Sequence, residues 1–374
     1  MRFRGAGAEG GFSVMAVLPR RCRTTPWLLL AVSLMGCMVP AATREAIVPI
    51  ISEITPESCT QQLQSLVELG PRFAGDADET RRTVEYLEEK LRLLGYQVQR
   101  EAVGRWRGIE QVNLIVEIEG LVDPTIVVEV GAHYDTVRNC PGADDNGSGV
   151  AGLLEIARVL VPHRPERTVR LCFFAAEEVG LIGSRAHVDR ILGDSSRRVD
   201  GLLDLEMIGY RVHEQGSQDA PVRIPLIAAV PHRGDFILVA GNFQSGGLGN
   251  IFERCVDQYV PELKYFSANR IAGFFGDAAR SDHFPYWQAG LRGIMLTDTA
   301  NFRNPHYHRP TDTIDTIDFD FLCAVTRATT AAVIEWGGHV APSSEVARSA
   351  QKRAKYPVQN AFHADISGID ATPR

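Results

Sequence analysis

The 374-residue sequence predicts an α/β domain that is built on a twisted, mainly parallel mixed sheet with helices on both faces. Short apolar runs rich in β-branched residues, such as 125–130 and 168–175, are typical of strands that are buried on both faces. These runs alternate with segments in which apolar residues recur every three or four positions, as on one face of a helix. Strands that alternate with helices favour a parallel sheet.

Helices are predicted at both ends of this pattern. Residues 80–94 place Val84 and Leu87 on one face, and Gly95 ends the helix. A shorter helical segment precedes it and stops at Gly70. Further helices are predicted from Gly147-Ser148-Gly149 onward, over 252–260 and over 321–336.

The other predicted strands are short apolar runs bounded by turn residues. One begins near Tyr96, and the others cover 113–118, 201–205 and 293–297. The stretch 210–250 is punctuated by Gly and Pro, and we predict that it forms connections with one edge strand at about 236–240.

Composition narrows the class of protein. Hydrophobic residues make up 45% of the chain and charged residues 23%, which is typical of a globular domain with a substantial core. The formal net charge is -7 and the body of the chain has no run of Lys or Arg, so we expect no nucleic-acid partner. The seven cysteines are irregularly spaced and form neither a zinc ribbon nor a dense disulfide framework, although one disulfide stays open.

The N-terminus resembles an export signal. Arg20, Arg21 and Arg23 precede a short apolar run at 27–35, and small residues follow it. We therefore predict a signal segment at residues 1–42 and a protein that is periplasmic, extracellular or anchored to the envelope. Three fates stay open: simple cleavage, a membrane tether through a lipidated Cys37, and a retained anchor helix.

The rest of the chain divides into two predicted parts. Residues 45–340 contain all the strands and helices above and are predicted to form one enzyme-sized domain. Residues 342–374 form a polar tail whose composition permits disorder and carries no recognisable chemistry. The sequence leaves the oligomeric state open.

Acidic and histidine residues stand just after several predicted strands. His133 follows the strand at 125–130, Glu177 and Glu178 follow the strand at 168–175, and Glu206 follows the strand at 201–205. His308 comes a short loop after 293–297, and Asp145 precedes the helix that opens at Gly147. Because ligands bind outside the carboxyl ends of parallel strands, we expect these side chains to converge in one cleft.

The charges in that cleft indicate a metal site. Four carboxylates, those of Asp145, Glu177, Glu178 and Glu206, would repel one another unless cations or protons compensated them. Imidazoles together with carboxylates form a ligand set that zinc accepts. The sequence therefore predicts a divalent-metal centre at the carboxyl edge of the sheet.

Five motifs in order carry a resemblance to a known family: G-A-H-Y-D, G-A-D-D-N-G-S-G, F-F-A-A-E-E, E-M-I-G and Y-H-R-P-T-D-T. The set resembles the co-catalytic zinc aminopeptidases, which include aminopeptidase Y and bacterial leucine aminopeptidases, and the resemblance spans about residues 66–336. It implies the zinc-exopeptidase fold, which is phosphorylase/hydrolase-like, two zinc ions per chain, and peptides that lose their N-terminal residue by hydrolysis.

The resemblance also implies a role for each matching residue. Asp145 would bind both metals. Glu178 and Glu206 would bind one metal each, and the imidazoles of His133 and His308 would also bind one metal each. Glu177 would be the general base, and the phenol of Tyr307 would donate to the oxyanion. Asp135 would hold the imidazole ring of His133 on the side away from the metal. Asp282 and its neighbour His283 would likewise support the site without binding a metal. Asp312 would either steady the His308 loop or cap a turn.

The sequence departs from the family at one ligand, because Glu206 stands where the family often has Asp. Two other functions stay open beside the aminopeptidase. Glutaminyl cyclases share the fold, use one zinc ion and resemble the chain at three motifs, although their bridging loop usually lacks the Gly-Ser-Gly found at 147–149. A non-catalytic ectodomain is the third hypothesis, and such relatives lose metal ligands that this chain keeps.

Overall fold

The computed structural model describes residues 41–220 and 231–339. The predicted lipidation site at Cys37, nearly all of the predicted signal segment and the polar tail from 342 lie outside the described residues. No helix of the described residues is long and apolar enough to span a bilayer.

A mixed sheet of eight strands forms the centre of the domain. In spatial order the strands are β1 (Gln99–Trp106), β2 (Ile109–Ile118), β4 (Arg167–Phe174), β3 (Asp123–His133), β5 (Arg198–Glu206), β8 (Gly293–Thr297), β6 (Ile237–Gly241) and β7 (Tyr265–Ala268). The four central strands, β4, β3, β5 and β8, are parallel to one another. β2 pairs antiparallel with both β1 and β4, β6 is antiparallel to β8, and β7 is parallel to β6. The predicted α/β class with a mainly parallel mixed sheet is confirmed.

Eight α-helices of the described residues cover the sheet. They are α1 (Ala41–Ser52), α2 (Pro56–Val67), α3 (Ala77–Leu93), α4 (Gly149–Leu160), α5 (Ile182–Gly193), α6 (Gly246–Tyr259), α7 (His283–Gln288) and α8 (Phe319–Gly337). Two of these helices begin at residues whose side chains cap the helix N-terminus. Thr55 and Ser58 form a reciprocal capping box at α2, and the Asp76 carboxylate accepts two backbone N–H groups at α3.

The two faces of the sheet bury different amounts of apolar surface. The larger core lies between the sheet and the face covered by α2, α3, α4, α6 and α8, and it includes Leu171 and Phe173 of β4. The smaller core lies on the α5 and α7 face, where Cys172 and Phe174 of the same strand pack. Successive side chains of β4 thus point to the two cores in turn, as the two-residue period of a strand requires. The side chains on both faces of β4 are apolar because helices cover both faces of the sheet.

Several elements differ from the prediction. The strand predicted at 236–240 is β6, but it is not an edge strand because β7 pairs outside it. β7 has four residues and none is buried, so it lacks the apolar run by which the other strands were predicted. α5 and α7 were not predicted, since α5 buries only four residues and α7 is six residues long. α6 begins at Gly246 instead of 252, because its first turn is glycine-rich.

The disulfide that the sequence left open does not form among the described residues. Each of the five cysteines there is a free, buried thiol: Cys59, Cys140, Cys172, Cys255 and Cys323. They contribute to packing as small, weakly polar side chains.

The start of α4 approaches β5 more closely than a side chain would allow. A Cβ atom at Gly149 would lie 2.3 Å from Asn146 Oδ1 and 2.6 Å from the Leu205 carbonyl oxygen. The carbonyl belongs to a central strand and cannot withdraw without moving the sheet. Glycine is therefore required at Gly149 by close approach, beyond its usual role in opening a helix.

We predict that Gly149→Ala lowers the free energy of unfolding by about 1–3 kcal/mol, because it overpacks the contact between α4 and β5. The matched control is Gly193→Ala at the end of α5, where an added Cβ meets no atom within 4 Å. Thermal unfolding of both variants measures the difference. Equal midpoints for the two variants would contradict the close-approach argument.

Candidate metal centre

Three neighbouring parallel strands deliver side chains to one edge of the sheet. β3 ends at His133 and β5 ends at Glu206. Glu177 and Glu178 follow the end of β4 by three and four residues. Because β4, β3 and β5 are adjacent and parallel, these residues meet at their common carboxyl edge.

The backbone turns sharply at the residues that carry this chemistry. Ala176, Met207 and His308 have left-handed φ values of 56°, 49° and 58°, although none is glycine. Two of them stand directly beside Glu177 and Glu206. Non-glycine residues in this region are strained, and such strain persists only where the surroundings hold the backbone in place.

Hydrogen bonds hold the loop that carries Asp145. The two Asp312 carboxylate oxygens accept from the backbone N–H groups of Asp144 and Asp145, at 2.9 and 3.0 Å. The Asn146 amide donates to the Leu205 carbonyl at 2.7 Å, which ties the loop to β5. Asp312 thus steadies the Asp145 loop, rather than only the His308 loop or a turn. The peptide bond between Asp145 and Asn146 is cis.

A first group of side chains surrounds the His133 imidazole. Its Nε2 lies 3.3 Å from Glu206 Oε2 and 3.7 Å from Asp145 Oδ1. Glu177 Oε2 is farther from the same nitrogen, at 4.0 Å. His133 is almost completely buried, and the side chain of Glu206 is 13% exposed.

A second group surrounds the His308 imidazole on the more open side of the cleft. Its Nε2 lies 3.1 Å from Asp145 Oδ2 and 3.1 Å from Glu178 Oε2. Asp145 therefore belongs to both groups, with one carboxylate oxygen facing each imidazole. The structure brings together all five side chains that were predicted as ligands, and it places Glu177 beside the first group.

The spacing of these atoms fits zinc. Two ligands about 2.1 Å from one ion at a tetrahedral angle lie about 3.4 Å apart. The four contacts among predicted ligands range from 3.1 to 3.7 Å, whereas the contact of Glu177 is longer. In addition, three buried atoms of the set have no hydrogen-bond partner: His133 Nε2, Asp145 Oδ2 and Glu178 Oε1. Buried polar atoms are normally satisfied, so their convergence indicates a cation between them.

The pKa shifts in the cleft also indicate a site for a cation. Burial raises the pKa of Glu177 well above its ordinary value, and burial with Asp145 raises the pKa of Glu178 to about 7. Burial opposes protonation of His308, yet the carboxylates of Asp145 and Glu178, each 3.1 Å from its Nε2, raise its pKa to about 10. Without a cation the acids retain protons and the imidazoles attract them, because the cleft has an excess of negative charge.

The predicted supporting residues lie behind the groups, but their contacts differ from the simplest expectation. His133 Nδ1 is 3.2 Å from the backbone carbonyl of Asp135 and 3.6 Å from its carboxylate. That carboxylate accepts instead from the backbone N–H groups of Glu177 and Glu178. Asp135 thus links the end of β3 to the Glu177-Glu178 turn.

Asp282 is fully buried, and neither of its carboxylate oxygens has a hydrogen-bond partner. Burial, together with the nearby carboxylate of Asp204, raises the pKa of Asp282 well above its ordinary value. Its neighbour His283 contacts Asp204 Oδ2 through its ring Nδ1, at 3.0 Å.

Tyr307 lies over the second group. Its ring stacks on the His308 imidazole, with the ring centroids 3.8 Å apart. Its hydroxyl oxygen accepts a hydrogen bond from Arg280 Nη2 at 2.9 Å. The phenol proton therefore remains available to another acceptor.

Sequence reasoning missed Arg280, Ser281 and Arg72. Arg280 and Ser281 directly precede Asp282, which had been selected, but they carry no periodic or strand-end signal. Arg72 is buried and donates to the carbonyls of Tyr134, Pro141 and Gly142, so that it fixes the chain between β3 and the Asp145 loop. Only the fold brings Arg72 next to residues more than sixty positions away.

A further buried cluster on the α5 face combines Glu129, Cys172 and His187, which are metal-ligand types. Its charges are already balanced. Arg170 Nη1 donates to Glu129 Oε1 at 2.6 Å, and His187 lies between Glu101 and Glu129, at 2.9 and 3.2 Å. Tyr286 donates to the other oxygen of Glu129 at 2.7 Å. We therefore interpret this cluster as a structural ion network.

Comparison with known proteins agrees with the fold and identifies the family. Residues 113–333 match the profile of Peptidase family M28. The uncharacterized protein YfbL of Escherichia coli (strain K12) is 34% identical over 287 residues, which cover 72% of this chain and 85% of YfbL. The chain belongs to peptidase family M28, and the prediction of a zinc metallopeptidase is confirmed.

Other relatives are named as aminopeptidases, but the match covers a smaller share of their length. Aminopeptidase YwaD of Bacillus subtilis (strain 168) is 31% identical over 56% of this chain and 41% of its own. The probable lipoprotein aminopeptidase LpqL of Mycobacterium tuberculosis is 33% identical over 51% of this chain and 39% of its own. The chain spans less than half of the length of either protein.

Solved structures share the fold at low identity. LapA aminopeptidase of Legionella pneumophila superposes with a TM-score of 0.64 at 20% identity, over 82% of this chain and 77% of LapA. Glutaminyl cyclase of Porphyromonas gingivalis gives 0.55 at 21% identity, over 76% of this chain and 99% of its own. The fold therefore accommodates both of the enzyme types that the sequence left open.

We predict that Glu129→Gln lowers the free energy of unfolding by about 3–5 kcal/mol at neutral pH, because it leaves buried cations without their counter-charge. Glu85→Gln is the control, since the Glu85 side chain is 55% exposed and its ion pair with Arg81 lies at the surface. Urea unfolding of both variants measures the difference.

The pH dependence of this loss of stability follows from the pKa of Glu129. Burial alone would raise the pKa of Glu129, but His187 and Arg170 lower it from 4.5 to about 2. The stabilisation is therefore complete above pH 4.5 and disappears as the pH falls toward 2. A difference between wild type and Glu129→Gln that grew on acidification would contradict this assignment.

Proposed function

We propose that the chain is an aminopeptidase that binds two zinc ions and removes single residues from the N-terminus of peptides. The observation that carries the proposal is the shared Asp145, whose two oxygens face His133 and His308 at 3.7 and 3.1 Å. One carboxylate between two imidazole groups is the arrangement expected of a bridging ligand. His133 and Glu206 would complete one site, and His308 and Glu178 would complete the other.

Bound zinc would polarise the scissile carbonyl and bring the pKa of a water ligand to about 7. Glu177 would then be the general base. Its Oε2 lies 4.0 Å from His133 Nε2, outside the spacing of the predicted ligands, and its backbone N–H is held by Asp135 at 2.9 Å. The carboxylate would accept a proton from the attacking water and return it to the leaving amine.

Tyr307 would stabilise the oxyanion that forms when the carbonyl is attacked. The ring is fixed by its stacking on His308, and Arg280 donates to the hydroxyl oxygen. Because that oxygen already accepts one hydrogen bond, its own proton can point to the substrate. The adjacent guanidinium would also favour a developing negative charge.

Glutaminyl-peptide cyclisation with a single zinc ion is the alternative, and the fold alone permits it. The presence of two imidazole-carboxylate groups around Asp145 supports the peptidase, because a single-zinc enzyme requires only one such group.

We also propose that the enzyme acts outside the cytoplasm. The support is the basic and apolar character of residues 20–35 and the similarity to LpqL, a probable lipoprotein aminopeptidase. A tether through a lipidated Cys37 would hold the catalytic domain at the envelope.

The test uses protein that lacks residues 1–42 and is loaded with zinc. Elemental analysis should give close to two zinc ions per chain, and mass spectrometry should show loss of one N-terminal residue at a time. Glu177→Gln should retain both ions and lose about 10²–10⁴-fold in kcat, because only the proton transfer is removed. The control is Glu110→Gln on the exposed surface of β2.

Other results would lead to other conclusions. One zinc ion per chain and a pyroglutamate product from N-terminal Gln peptides would establish the cyclase alternative. Loss of zinc in Glu177→Gln would make Glu177 a ligand instead of a base. A wild-type protein without metal and without turnover would show that the fold serves binding only.

A further inference from the structure

Two of the buried cysteines meet where α2 packs against α8. Cys59 lies on the buried face of α2 together with Leu63 and Leu66, and Cys323 lies near the start of α8. Cys59 is fully buried and Cys323 is 2% exposed. Both are free thiols in the structure, and the thiol of Cys59 hydrogen-bonds to that of Cys323. Two cysteines far apart in the sequence are thus brought into side-chain contact by the fold.

Backbone contacts hold the two cysteines at this point. The Ile54 carbonyl accepts from Cys323 Sγ at 3.5 Å and from Arg327 Nε at 2.8 Å, so two side chains of α8 are tied to the residue before the Thr55 cap. In the first turn of α2 the backbone N–H of Cys59 donates to the Thr55 carbonyl at 3.0 Å. The contact between the thiols therefore follows from the way in which α8 is fixed to the start of α2.

The other described cysteines have neighbours of a different kind. Cys140 Sγ donates to a backbone carbonyl at 3.1 Å, and Cys172 Sγ lies 3.9 Å from the His187 imidazole. The Cys255 thiol lies beside the carboxylate of Glu335. Among the described residues, formation of a disulfide would therefore be selective for the pair between α2 and α8.

The two thiols of the pair differ in acidity. The hydrogen bond to Cys323, together with burial, raises the pKa of Cys59. The same hydrogen bond lowers the pKa of Cys323, although burial opposes this shift. Because the thiolate is the nucleophile in thiol–disulfide exchange, Cys323 is suited to react first and Cys59 to close the bond.

We propose that Cys59 and Cys323 are a disulfide site, which is oxidised after export and then joins α2 covalently to α8. The inference rests on the location proposed above, since thiols outside the cytoplasm are not kept reduced. The oxidant is an external disulfide, either a small molecule or the active-site disulfide of an oxidoreductase. A disulfide bond requires the two sulfur atoms to approach to about 2.05 Å, which is a short movement for thiols already in contact.

The exchange has two steps. The Cys323 thiolate attacks one sulfur of the external disulfide, which forms a mixed disulfide and releases one thiolate. The Cys59 thiolate then attacks the Cys323 sulfur, which forms the internal bond and releases the second thiolate. The protons of the two cysteines pass to the released thiolates, so one external disulfide is reduced to two thiols. Because both cysteines are buried, the exchange takes place while α8 is not yet packed on α2 or is transiently displaced from it.

The bond would enclose the candidate metal centre in one covalent loop. All of the proposed ligands, from His133 to His308, lie between Cys59 and Cys323 in the sequence. A cross-link over so long a loop mainly restricts the unfolded chain, and it stabilises the folded domain for that reason. We expect the oxidised protein to unfold about 5–10 °C above the reduced protein.

The experiment uses protein that lacks residues 1–42, which retains five of the seven cysteines. It is held with an excess of oxidised glutathione until the number of free thiols is constant, then denatured, alkylated and weighed by mass spectrometry. The oxidised protein should take up three alkyl groups, and protein treated with dithiothreitol should take up all five. Digestion without reduction should give one linked pair of peptides, which contains Cys59 and Cys323 and is lighter by two hydrogen atoms than the separate peptides.

Thermal unfolding of both forms of each variant measures the effect of the bond. Cys59→Ser and Cys323→Ser should each have midpoints that differ by less than about 1 °C between the oxidising and the reducing condition. This comparison is made within one variant, so a loss of packing affects both conditions equally. The matched control is Cys255→Ala, which removes a buried thiol from α6, a helix that also packs against α8. It should keep the rise of the wild type.

Three results would overturn the inference: five alkyl groups after oxidation, a linked peptide pair between other cysteines, or an undiminished rise of the midpoint in Cys323→Ser. These measurements need neither zinc nor a peptide substrate. Absence of aminopeptidase activity would therefore contradict the proposed function and leave the thiol count unaffected. A constant thiol count in an active two-zinc enzyme would contradict the disulfide site alone.

Discussion

The concentration of negative charge at the carboxyl edge of the sheet is the constraint on which the rest of the site depends. Four carboxylates and two imidazoles share one cleft, where His133, Asp145 and Glu177 are buried, and three polar atoms of the set have no hydrogen-bond partner. Burial raises the pKa of Glu177 and Glu178 because the charged forms have lost their hydration. Divalent cations relieve this cost more completely than protons do, since one ion compensates two charges at once.

The fold keeps these like charges close together because several hydrogen bonds fix the backbone around them. Asp312 and Asn146 fix the Asp145 loop, and Arg72 fixes the chain that leads into it. Gly149 lets α4 approach close enough for Asn146 to reach β5. These contacts are distributed over the domain, so a substitution far from the proposed metal ligands can still change the geometry of the cleft.

Local patterns in the sequence were sufficient to predict the central strands and the meeting of acidic and histidine side chains in one cleft. The strands are continuous apolar runs, and the proposed ligands stand directly after them or in nearby loops. β7 and α7 were missed because they are short, and α5 because it buries few residues. Ser281, Arg280 and Arg72 could not be predicted, because their partners are distant in the sequence and meet them only after the chain has folded. Similarly, Glu129 and His187 resemble metal ligands until Arg170 is placed beside them.

Diffraction from crystals of the zinc-loaded chain, recorded at the zinc absorption edge, is the most direct test of the central claim. The account predicts two anomalous peaks about 3.5–4 Å apart, as in other two-metal sites, with Asp145 between them. One peak should contact His133 and Glu206, and the other His308 and Glu178, with Glu177 outside both coordination spheres. A single peak, or a peak coordinated by Glu177, would contradict the account.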